Sequence, residues 1–531
     1  MKRIVSRFSR RAFAVFVFCT ATSIALPAQT FATLYSFCTN RQSCTDGRGP
    51  VTPLVQGTSG DGYGTTAEGG TGTGCSGGCG TVFKTTPSGT LTTLYNFCAQ
   101  GSFPKCDDGS APSAGLVQAG SGDLYGTTAA GGANSLCPAA GGGSEGCGTI
   151  FKITPSGRLT TVYSFCAQSG CTDGWFPTGG LVLAASGDLY GTTYYGGATP
   201  GPYGSGTVFK ITPSGTLTTL YSFCAQTNCA DGEGPRAALV QVTKGDFYGT
   251  TEYGGINGPC ALASSAPGCG TVFKITPSGT LTMLYSFCAQ SGCSDGQSPN
   301  GLVQDTNGNL YGTTGAGGAG AAPDSGTIFK ITPGGTLTTL YTFCSQSGCP
   351  DGRYPSGVLV QATSGDLFGT TEMGGHSNLC NPRERDGCGT IFKITLSGAL
   401  TTLHSFCSQN ECTDGSSPEG GLIQGTNGDF YGTTSSDGAD GGGTVFSLSV
   451  GLGPFVKTQT TSGQVGAGVN ILGTDLTGAT SVTFNGTAAT FTVVSQSLIT
   501  TTVPTGATTG TAKVVTPSGT LSSNVPFRVL P

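Results

Sequence analysis

The sequence is poor in the residues that most catalytic and metal centres use. Its 531 residues include two histidines, His376 and His404, one tryptophan and 10% charged residues. A zinc site takes four ligands, so two histidines supply few of them. The chain has no Gly-x-Ser-x-Gly elbow, phosphate-binding loop or metal-ligand cluster. We therefore expect a protein that is not an enzyme, with no catalytic residue, no metal and no cofactor.

Long apolar runs are also scarce. Residues 12–26 form one, preceded by five basic residues: Lys2, Arg3, Arg7, Arg10 and Arg11. This pattern predicts a signal peptide over residues 1–28, too short to span a bilayer comfortably. Residues 9–13 also resemble a twin-arginine motif, so the export route stays open. No later run could span a membrane, and we expect an exported protein at the cell surface, outside the cell or in the periplasm, without membrane insertion after signal removal.

Basic residues are in the minority once the signal is removed. The first 28 residues hold five of the 23 Lys and Arg and none of the 28 Asp and Glu, so the mature chain carries about −10. An acidic chain is repelled by phosphate backbones and anionic lipid. We expect no nucleic-acid partner.

Cysteine is abundant, with 23 residues. Cys19 leaves with the signal, and the remaining 22 fall into close pairs. With an export signal, local disulfides are the natural interpretation, and zinc is the alternative. The pairs are Cys38 with Cys44, Cys75 with Cys79, Cys98 with Cys106, Cys137 with Cys147, Cys166 with Cys171, Cys224 with Cys229, Cys260 with Cys269, Cys288 with Cys293, Cys344 with Cys349, Cys380 with Cys388, and Cys407 with Cys412.

One stretch, residues 206–235, organises most of the chain: GTVFKITPSGTLTTLYSFCAQTNCADGEGP. It occurs six more times, whole or split at the ends, and reads as two strands joined by a Thr-Pro-Ser-Gly turn. Leu-Val-Gln and Tyr-Gly-Thr-Thr segments complete each repeat. The pattern predicts four strands per repeat at a spacing of about 60 residues, as in a β-propeller.

The ends of the array are complementary. The mature chain begins with the last strand of a unit, and the array ends at residues 443–449 with its partner. We therefore predict an all-β fold: a seven-bladed β-propeller over residues 30–450, closed by the N-terminal strand. Residues 451–531 contain no cysteine and alternate like strands, which predicts an Ig-like β-sandwich.

Two resemblances add to this. The repeat, through Gly-Asp-Leu-Tyr-Gly-Thr-Thr at residues 187–193 and Gly-Thr-Val-Phe-Lys at residues 206–210, resembles the GloVer tandem-repeat family of bacterial exported proteins. That family implies no activity. The C-terminal part, through residues 473–476, 482–486, 503–504 and 510–512, resembles an IPT/TIG Ig-like domain. In exported proteins this resemblance implies a spacer or adhesion module.

Two long loops of each repeat are expected on one face, with Leu-Val-Gln innermost and Tyr-x-Phe outermost. Aromatic residues gather there in the third repeat. Such rings could stack on sugars, or they could form a local core under a Gly-rich loop. These candidate ligand-binding residues are Trp175, Phe176, Tyr194, Tyr195 and Tyr203.

Two polar sets recur. The Asp of Cys-x-Asp-Gly could bind calcium or cap its own turn. The Gln that ends Leu-Val-Gln could line a channel or form a hydrogen-bonded ring. The members are Asp46, Asp108, Asp173, Asp231, Asp295, Asp351 and Asp414, and Gln56, Gln118, Gln241, Gln304, Gln361 and Gln424.

The sequence thus predicts a disulfide-stabilised, non-enzymatic extracellular binding or surface-scaffold module. We expect a polysaccharide or a surface protein as its partner. The alternative is a carbohydrate-active enzyme, a glycoside hydrolase or lyase, that uses the same loop face. An asymmetric pocket with two or three carboxylates would favour that alternative.

Overall fold

The computed structural model describes residues 29–530, except 42, 73–74, 76, 103–104, 136, 138–145, 200–202, 243–244, 259, 261–267, 321–324 and 378–386. The signal-peptide prediction, residues 1–28, lies outside these residues. Within the described ranges the fold is all-β, with no α-helix. Four short 3₁₀ turns occur, at Ser169–Cys171, Thr227–Cys229, Ser291–Cys293 and Asn410–Cys412. No helix among the described residues has the length and apolarity to cross a membrane.

Seven four-stranded sheets follow one another along the chain, one for each repeat. Their strands, with the short hairpin β6–β7 between the first two sheets, have the following bounds. The N-terminal strand is β1 (Thr30–Ser36). Sheet 1 contains β2 (Val55–Gln56), β3 (Gly62–Thr66), β4 (Thr81–Thr85) and β5 (Leu91–Asn96), and the hairpin is β6 (Gly101–Ser102) and β7 (Lys105–Cys106). Sheet 2 contains β8 (Val117–Gln118), β9 (Leu124–Thr128), β10 (Thr149–Ile153) and β11 (Leu159–Ser164), and sheet 3 contains β12 (Val182–Leu183), β13 (Leu189–Thr193), β14 (Thr207–Ile211) and β15 (Leu217–Ser222).

The remaining repeats have the same plan. Sheet 4 contains β16 (Val240–Gln241), β17 (Phe247–Thr251), β18 (Thr271–Ile275) and β19 (Leu281–Ser286), and sheet 5 contains β20 (Gln297–Gln304), β21 (Leu310–Ala316), β22 (Thr327–Ile331) and β23 (Leu337–Thr342). Sheet 6 contains β24 (Val360–Gln361), β25 (Leu367–Thr371), β26 (Thr390–Ile394) and β27 (Leu400–Ser405), and sheet 7 contains β28 (Ile423–Gln424), β29 (Phe430–Thr434), β30 (Thr444–Ser449) and β1.

Each sheet is an antiparallel meander, as the repeat pattern predicts. In sheet 3 the order is β12-β13-β14-β15, and the β14–β15 ladder shifts register between Val208 and Phe209. A shift recurs between the corresponding two strands of all seven sheets. Because a bulge bends a strand and increases its twist, this recurrence gives the seven sheets a common shape.

Sheet 7 is assembled from both ends of the repeat array. β1 pairs antiparallel with β30, with Thr30 opposite Ser449 and Ser36 opposite Thr444. Phe31 stacks on His404 of sheet 6 with ring centroids 3.8 Å apart. The first strand of the described chain is therefore held by its last repeat.

Phenylalanine pairs join each sheet to the next. Phe165, which follows β11, meets Phe209 of sheet 3 edge-to-face at 5.3 Å, and both are fully buried. Such pairs add about 0.5–1.5 kcal/mol beyond the area they bury. The other pairs, at 5.1–5.3 Å, are Phe37 with Phe83, Phe97 with Phe151, Phe223 with Phe273, Phe287 with Phe329, Phe343 with Phe392, and Phe406 with Phe446.

Ten of the predicted cysteine pairs are disulfides in this structure. They are Cys38–Cys44, Cys75–Cys79, Cys98–Cys106, Cys137–Cys147, Cys166–Cys171, Cys224–Cys229, Cys260–Cys269, Cys288–Cys293, Cys344–Cys349 and Cys407–Cys412. The prediction for Cys380 with Cys388 lies outside the described residues, because Cys380 is not described. Stable disulfides need an oxidising compartment, so they indicate an exported or extracellular protein.

The C-terminal segment, residues 455–530, has its own core of buried residues that includes Val456, Ile471, Phe484 and Phe527. Its strands are β31 (Lys457–Thr458), β32 (Ser462–Gln464), β33 (Gly468–Leu472), β34 (Ser481–Phe484), β35 (Thr487–Ala488), β36 (Phe491–Ser495), β37 (Leu498–Thr502), β38 (Ala512–Thr516), β39 (Gly519–Ser522) and β40 (Arg528–Leu530). They form two four-stranded antiparallel sheets, β31-β33-β37-β36 and β35-β34-β38-β39, and one parallel pair, β32 with β40.

Candidate functional site

Residues from all seven repeats line one cavity of about 600 Å³, which we call the shared cavity. Every repeat contributes the residue that follows the proline of its Cys-loop. These residues are Val51, Ser113, Thr178, Arg236, Asn300, Ser356 and Glu419. The seven repeats therefore place equivalent backbone positions around the shared cavity. These positions form its frame, and they carry different side chains.

Proline and glycine fix this frame. The ring of Pro235 lies against Gly206 of the preceding repeat, where a Cβ atom would come within 2.6 Å of the proline Cδ. Gly206 also has φ +92°, a conformation that glycine adopts without strain. The same pair recurs as Gly148 with Pro177 and Gly389 with Pro418. The backbone thus places each residue after proline in an equivalent position.

Charge collects on one side of the shared cavity. Glu252 and Glu372 follow the Gly-Thr-Thr of repeats 4 and 6, while Arg236 and Glu419 follow prolines. Arg236 donates to Glu252 Oε1 at 3.3 Å, and the Tyr194 hydroxyl donates to Glu252 Oε2 at 2.9 Å. Ser435 Oγ donates to Glu419 Oε1 at 2.8 Å. Three carboxylates and one guanidinium thus make the cavity asymmetric and acidic.

Glu372 lies in a poorly solvated part of the shared cavity. Burial raises its pKa above the ordinary value, the neighbouring Glu419 adds to the rise, and Arg236 opposes it. Two like charges in a poorly solvated site disfavour joint ionisation. A carboxyl group held in this way can donate as well as accept a proton.

Buried hydroxyls also line the shared cavity. Ser113 Oγ, Thr178 Oγ1 and Ser356 Oγ are inaccessible to water and have no hydrogen-bond partner among the described residues. All three follow a loop proline. A buried hydroxyl without a partner is costly, and because these oxygens have no accessible surface, a ligand in the cavity would reach them only if the wall moved.

The residue before each loop proline has positive φ in all seven repeats. Only Gly49 and Gly234 are glycines, at φ +64° and +65°. The others are Ala111, Phe176, Ser298, Tyr354 and Ser417, at φ +52° to +58°. A side chain in this conformation costs energy, and such strain clusters at functional sites. Tyr354, against which the Arg353 guanidinium packs at 4.9 Å, lines the shared cavity.

The structure brings the five predicted aromatic residues together, but mostly as a packed cluster. Trp175 is 4% exposed, stacks on Tyr195 at 4.5 Å and donates its Nε1–H to the Tyr203 carbonyl. Phe176 and Tyr194 are half-buried. Tyr203, at 42% exposure, is the member that a ligand could reach most easily. Burial also raises the pKa of Tyr194, with Glu252 adding to the rise.

The recurring Asp of the Cys-loop accepts protein hydrogen bonds. Asp231 is fully buried and accepts from the Tyr221 hydroxyl at 2.7 Å and from the backbone N–H of Ala225 and Gln226 at 3.0 and 3.1 Å. At the seventh Cys-loop, His404 of sheet 6 takes the place of the tyrosine, 3.1 Å from Asp414. These contacts are those of a turn cap, one of the two interpretations that the sequence allows.

The recurring Gln joins neighbouring sheets. Gln118 Oε1 accepts from the Thr58 N–H at 3.0 Å, and Gln424 Oε1 accepts from the Thr363 N–H at 3.0 Å. Gln56 of repeat 1 accepts from Thr426 of repeat 7 at 3.1 Å. These bonds join repeats 6, 7, 1 and 2, whereas Gln304 and Gln361 donate to carbonyls of their own turns.

The features that the repeats share do not indicate the carboxylates of the shared cavity, because Glu252, Glu372 and Glu419 are differences between the repeats. The positions equivalent to Glu372 are Ala67, Ala129, Tyr194, Glu252, Gly315 and Ser435. An alignment of the seven repeats that marks unlike residues at equivalent positions would have found the site.

The repeated sheets and local disulfides define a disulfide-rich, all-β tandem-repeat protein. The model of the Gloeobacter/Verrucomicrobia repeat matches residues 138–264 and 260–494, more than half of the chain. The chain belongs to this repeat family. No curated protein matches it.

Solved structures show distant similarity only. A fungal alcohol oxidase of the AA5 family, in complex with copper, has a TM-score of 0.48 at 12% identity, covering 91% of this chain and 98% of that chain. PorZ, a surface component of the type-IX secretion system of Porphyromonas gingivalis, has 0.41 at 13%, covering 89% and 58%. A protein of unknown function from Bacteroides thetaiotaomicron has 0.38 at 12%, covering 80% and 76%. These values assign no activity.

Proposed function

We propose that this protein is an exported, non-enzymatic binding module, built as a closed seven-bladed β-propeller over residues 30–450 and an IPT/TIG-like Ig domain over residues 451–531. The seven sheets are its blades, and the signal peptide of residues 1–28 directs export. The shared cavity is its ligand site, and extracellular glycan is its ligand. The observation that supports this best is that the seven repeats place different side chains at equivalent backbone positions around one cavity.

Contacts between the last and first repeats support a closed ring. β1 completes the sheet of β30, and Phe37 meets Phe83 at 5.1 Å. The Thr433 hydroxyl donates to the Thr52 carbonyl at 3.1 Å, just as Thr370 donates to the Gly420 carbonyl between repeats 6 and 7. Repeat 7 therefore contacts repeat 1 much as repeat 6 contacts repeat 7.

The side chains of the shared cavity suit sugar hydroxyls. Carboxylates accept hydrogen bonds from hydroxyls. The Asn300 amide nitrogen donates to Thr313 Oγ1 and to the Pro355 carbonyl, which leaves its Oδ1 as a further acceptor. Tyr354 offers an apolar ring. Most of the other residues that line the shared cavity are small, so they leave room for an extended ligand. A few polar groups fixed on a rigid frame are typical of small-ligand sites.

A glycan array tests the proposal. The mature chain, residues 29–531, should retain a glycan without releasing product. Glu372→Gln should weaken retention at least about tenfold, because the charge is lost and one acceptor oxygen becomes an NH2 donor. Glu68→Gln is the matched control, since Glu68 is half-exposed, pairs with Arg48 and does not line the shared cavity. Retention that is equal in both variants would contradict the cavity as the site, and silence on every glycan would favour a protein ligand.

A carbohydrate-active enzyme is the second candidate, and the Glu372 environment favours it. A glycosidase needs one carboxyl group with a raised pKa as the acid and a second carboxylate nearby. Glu372 and Glu419 are in electrostatic contact within the shared cavity. Release of reducing ends by the wild type, lost in Glu372→Gln, would establish this activity and overturn the non-enzymatic proposal.

A further inference from the structure

A second cavity lies at the junction between repeats 7 and 1, which we call the seam cavity. It encloses about 380 Å³. Its walls include Leu54, Gly62 and Thr85 from repeat 1 and Ile423 and Tyr431 from repeat 7. It is separate from the shared cavity and plays no part in the function proposed above.

The seam cavity exists because repeat 1 has two small residues where the other repeats have large ones. Gly62 occupies the position of a Leu or Phe that is at most 1% exposed: Leu124, Leu189, Phe247, Leu310, Leu367 and Phe430. Thr85 occupies the position of another buried aliphatic residue: Ile153, Ile211, Ile275, Ile331, Ile394 and Leu448. Both replacements of a large residue by a small one lie at the junction of repeats 7 and 1.

At the other junctions that large residue covers an aromatic ring of the preceding repeat. Tyr190 stacks on Phe247 with centroids 4.1 Å apart, and Phe368 stacks on Phe430 at 4.1 Å. At the junction of repeats 7 and 1 the equivalent partner of Tyr431 is Gly62, which has no side chain. Tyr431 is accordingly half-buried, whereas its six equivalents are buried.

The C-terminal segment closes the seam cavity from a third side. Residues 473–475, Gln496 and Ser497 line it. Ser497 Oγ donates to the Thr58 carbonyl at 2.8 Å, and the hydroxyls of Thr474 and Thr426 are 2.9 Å apart. These contacts hold the segment over the cavity without filling it.

The seam cavity has an apolar wall and a polar rim. Leu54, Ile423 and the Tyr431 ring form the wall, and the Asn427 amide donates to the Tyr431 hydroxyl at 2.8 Å. On the rim, Asp61 lies 3.6 Å from Lys84 Nζ. Asp475, also on the rim, has φ +56°, a strained conformation for a residue with a side chain. A ligand for this site needs an apolar face and several hydroxyl donors at its edge.

We propose that the seam cavity binds a single hydroxylated ring, one monosaccharide unit, with its apolar face on Tyr431 and its hydroxyls toward Asp61 and Asp475. Among the described residues, the site lies where Gly62, Thr85 and the C-terminal segment come together at the junction of repeats 7 and 1. A pyranose ring fits the volume of a small ligand pocket.

Cavity filling tests the site. Gly62→Leu with Thr85→Ile restores the residues of the other repeats, and Gly62 has no positive φ that would strain leucine. A panel of free monosaccharides is titrated into the full chain, with thermal unfolding and ligand-observed NMR as readouts. We expect one sugar to raise the Tm of the wild type. The filled variant should unfold a few degrees higher without ligand and lose the response.

Asp475→Asn is the second variant, because asparagine tolerates positive φ and removes only the charge. It should weaken the sugar at least about fivefold. Glu68→Gln, at a half-exposed residue that lines neither cavity, should leave this binding unchanged. No response to any sugar, or a response that persists in the filled variant, would overturn the proposal. A filled variant that folds but is less stable than the wild type would show that the wild-type residues are already packed together there, which would also overturn the proposal.

Discussion

At the scale of single residues, the repeat relies on buried polar contacts that recur with little change. Asp231 and its equivalents accept a tyrosine hydroxyl and backbone N–H groups inside the Cys-loop. Burial raises the pKa of Tyr35, and the hydrogen bond to Asp46 adds to the rise, to about 12. The tyrosine therefore stays a donor throughout the physiological range.

Tyr221→Phe should cost about 1–2 kcal/mol in the free energy of unfolding, because Asp231 loses one donor but keeps two backbone partners. Denaturant unfolding measures the loss. Tyr203→Phe, at a ring that is 42% exposed, is the control and should change little. Equal effects would show that the Tyr–Asp contact is not stabilising.

Lys457, in β31, is a residue whose effect depends on pH. Burial lowers its pKa to about 8. The unfolded chain then binds the proton more tightly between pH 8 and 10.5, so stability should rise with pH over that window and stay flat below it. Lys457→Met should gain roughly 1–3 kcal/mol at pH 7 and nothing at pH 10.5. Parallel denaturant curves at both pH values check this, and a gain independent of pH would contradict it.

At the scale of elements, the Cys-loop combines a disulfide with strained backbone. Cys224 and Cys229 have φ +59° and +51°, and φ is positive at both cysteines in the other such pairs except Cys98–Cys106, where only Cys98 has positive φ. The disulfide therefore holds two residues in a conformation that glycine adopts more easily. A five-residue separation makes this staple local.

Replacing both cysteines separates the two effects. Cys224→Ala with Cys229→Ala should lose about 2 kcal/mol or more, since loop closure is lost and the strain remains. Cys224→Gly with Cys229→Gly should be about 1–2 kcal/mol more stable than the alanine pair, because glycine relieves the strain. Denaturant unfolding under oxidising conditions ranks the three proteins. An alanine pair at least as stable as the glycine pair would refute the role of strain.

The strands were predictable where the repeat shows them. Because Gly-Thr-Val-Phe and Tyr-Gly-Thr-Thr occur in seven copies, the prediction of each strand does not depend on a single segment. The all-β fold with four-stranded sheets is confirmed. In the C-terminal segment, strands such as β37 (Leu498–Thr502) and β39 (Gly519–Ser522) are harder to predict, because a single Thr-rich copy shows little alternation. The candidate site was predicted less well. The pattern that places Trp175 in a loop does not say that Tyr195 will cover it. The seven-bladed ring and the Ig classification stay predictions.

At the scale of the whole molecule, the pairing of β1 with β30 joins the two ends of the repeat array. Deleting residues 29–36 should expose β30 as an edge strand and lower the protection of its amides against hydrogen exchange. A synthetic peptide of residues 29–37 added in trans should restore that protection. Leu217→Ala, a truncation inside sheet 3, is the control that a strand peptide should not rescue. Unchanged protection of β30 in the deletion would contradict this role.

The pairing of β1 with β30 has a consequence for the order of folding events as the chain enters the oxidising compartment that its disulfides require. Each disulfide spans only 4 to 10 residues and can form as soon as its own loop is outside. The leading strand, by contrast, must wait for residues 444–449, more than 400 positions later in the chain. Oxidation therefore precedes completion of the last sheet, and the waiting N-terminal strand is the segment most available to another copy of the protein or to a chaperone.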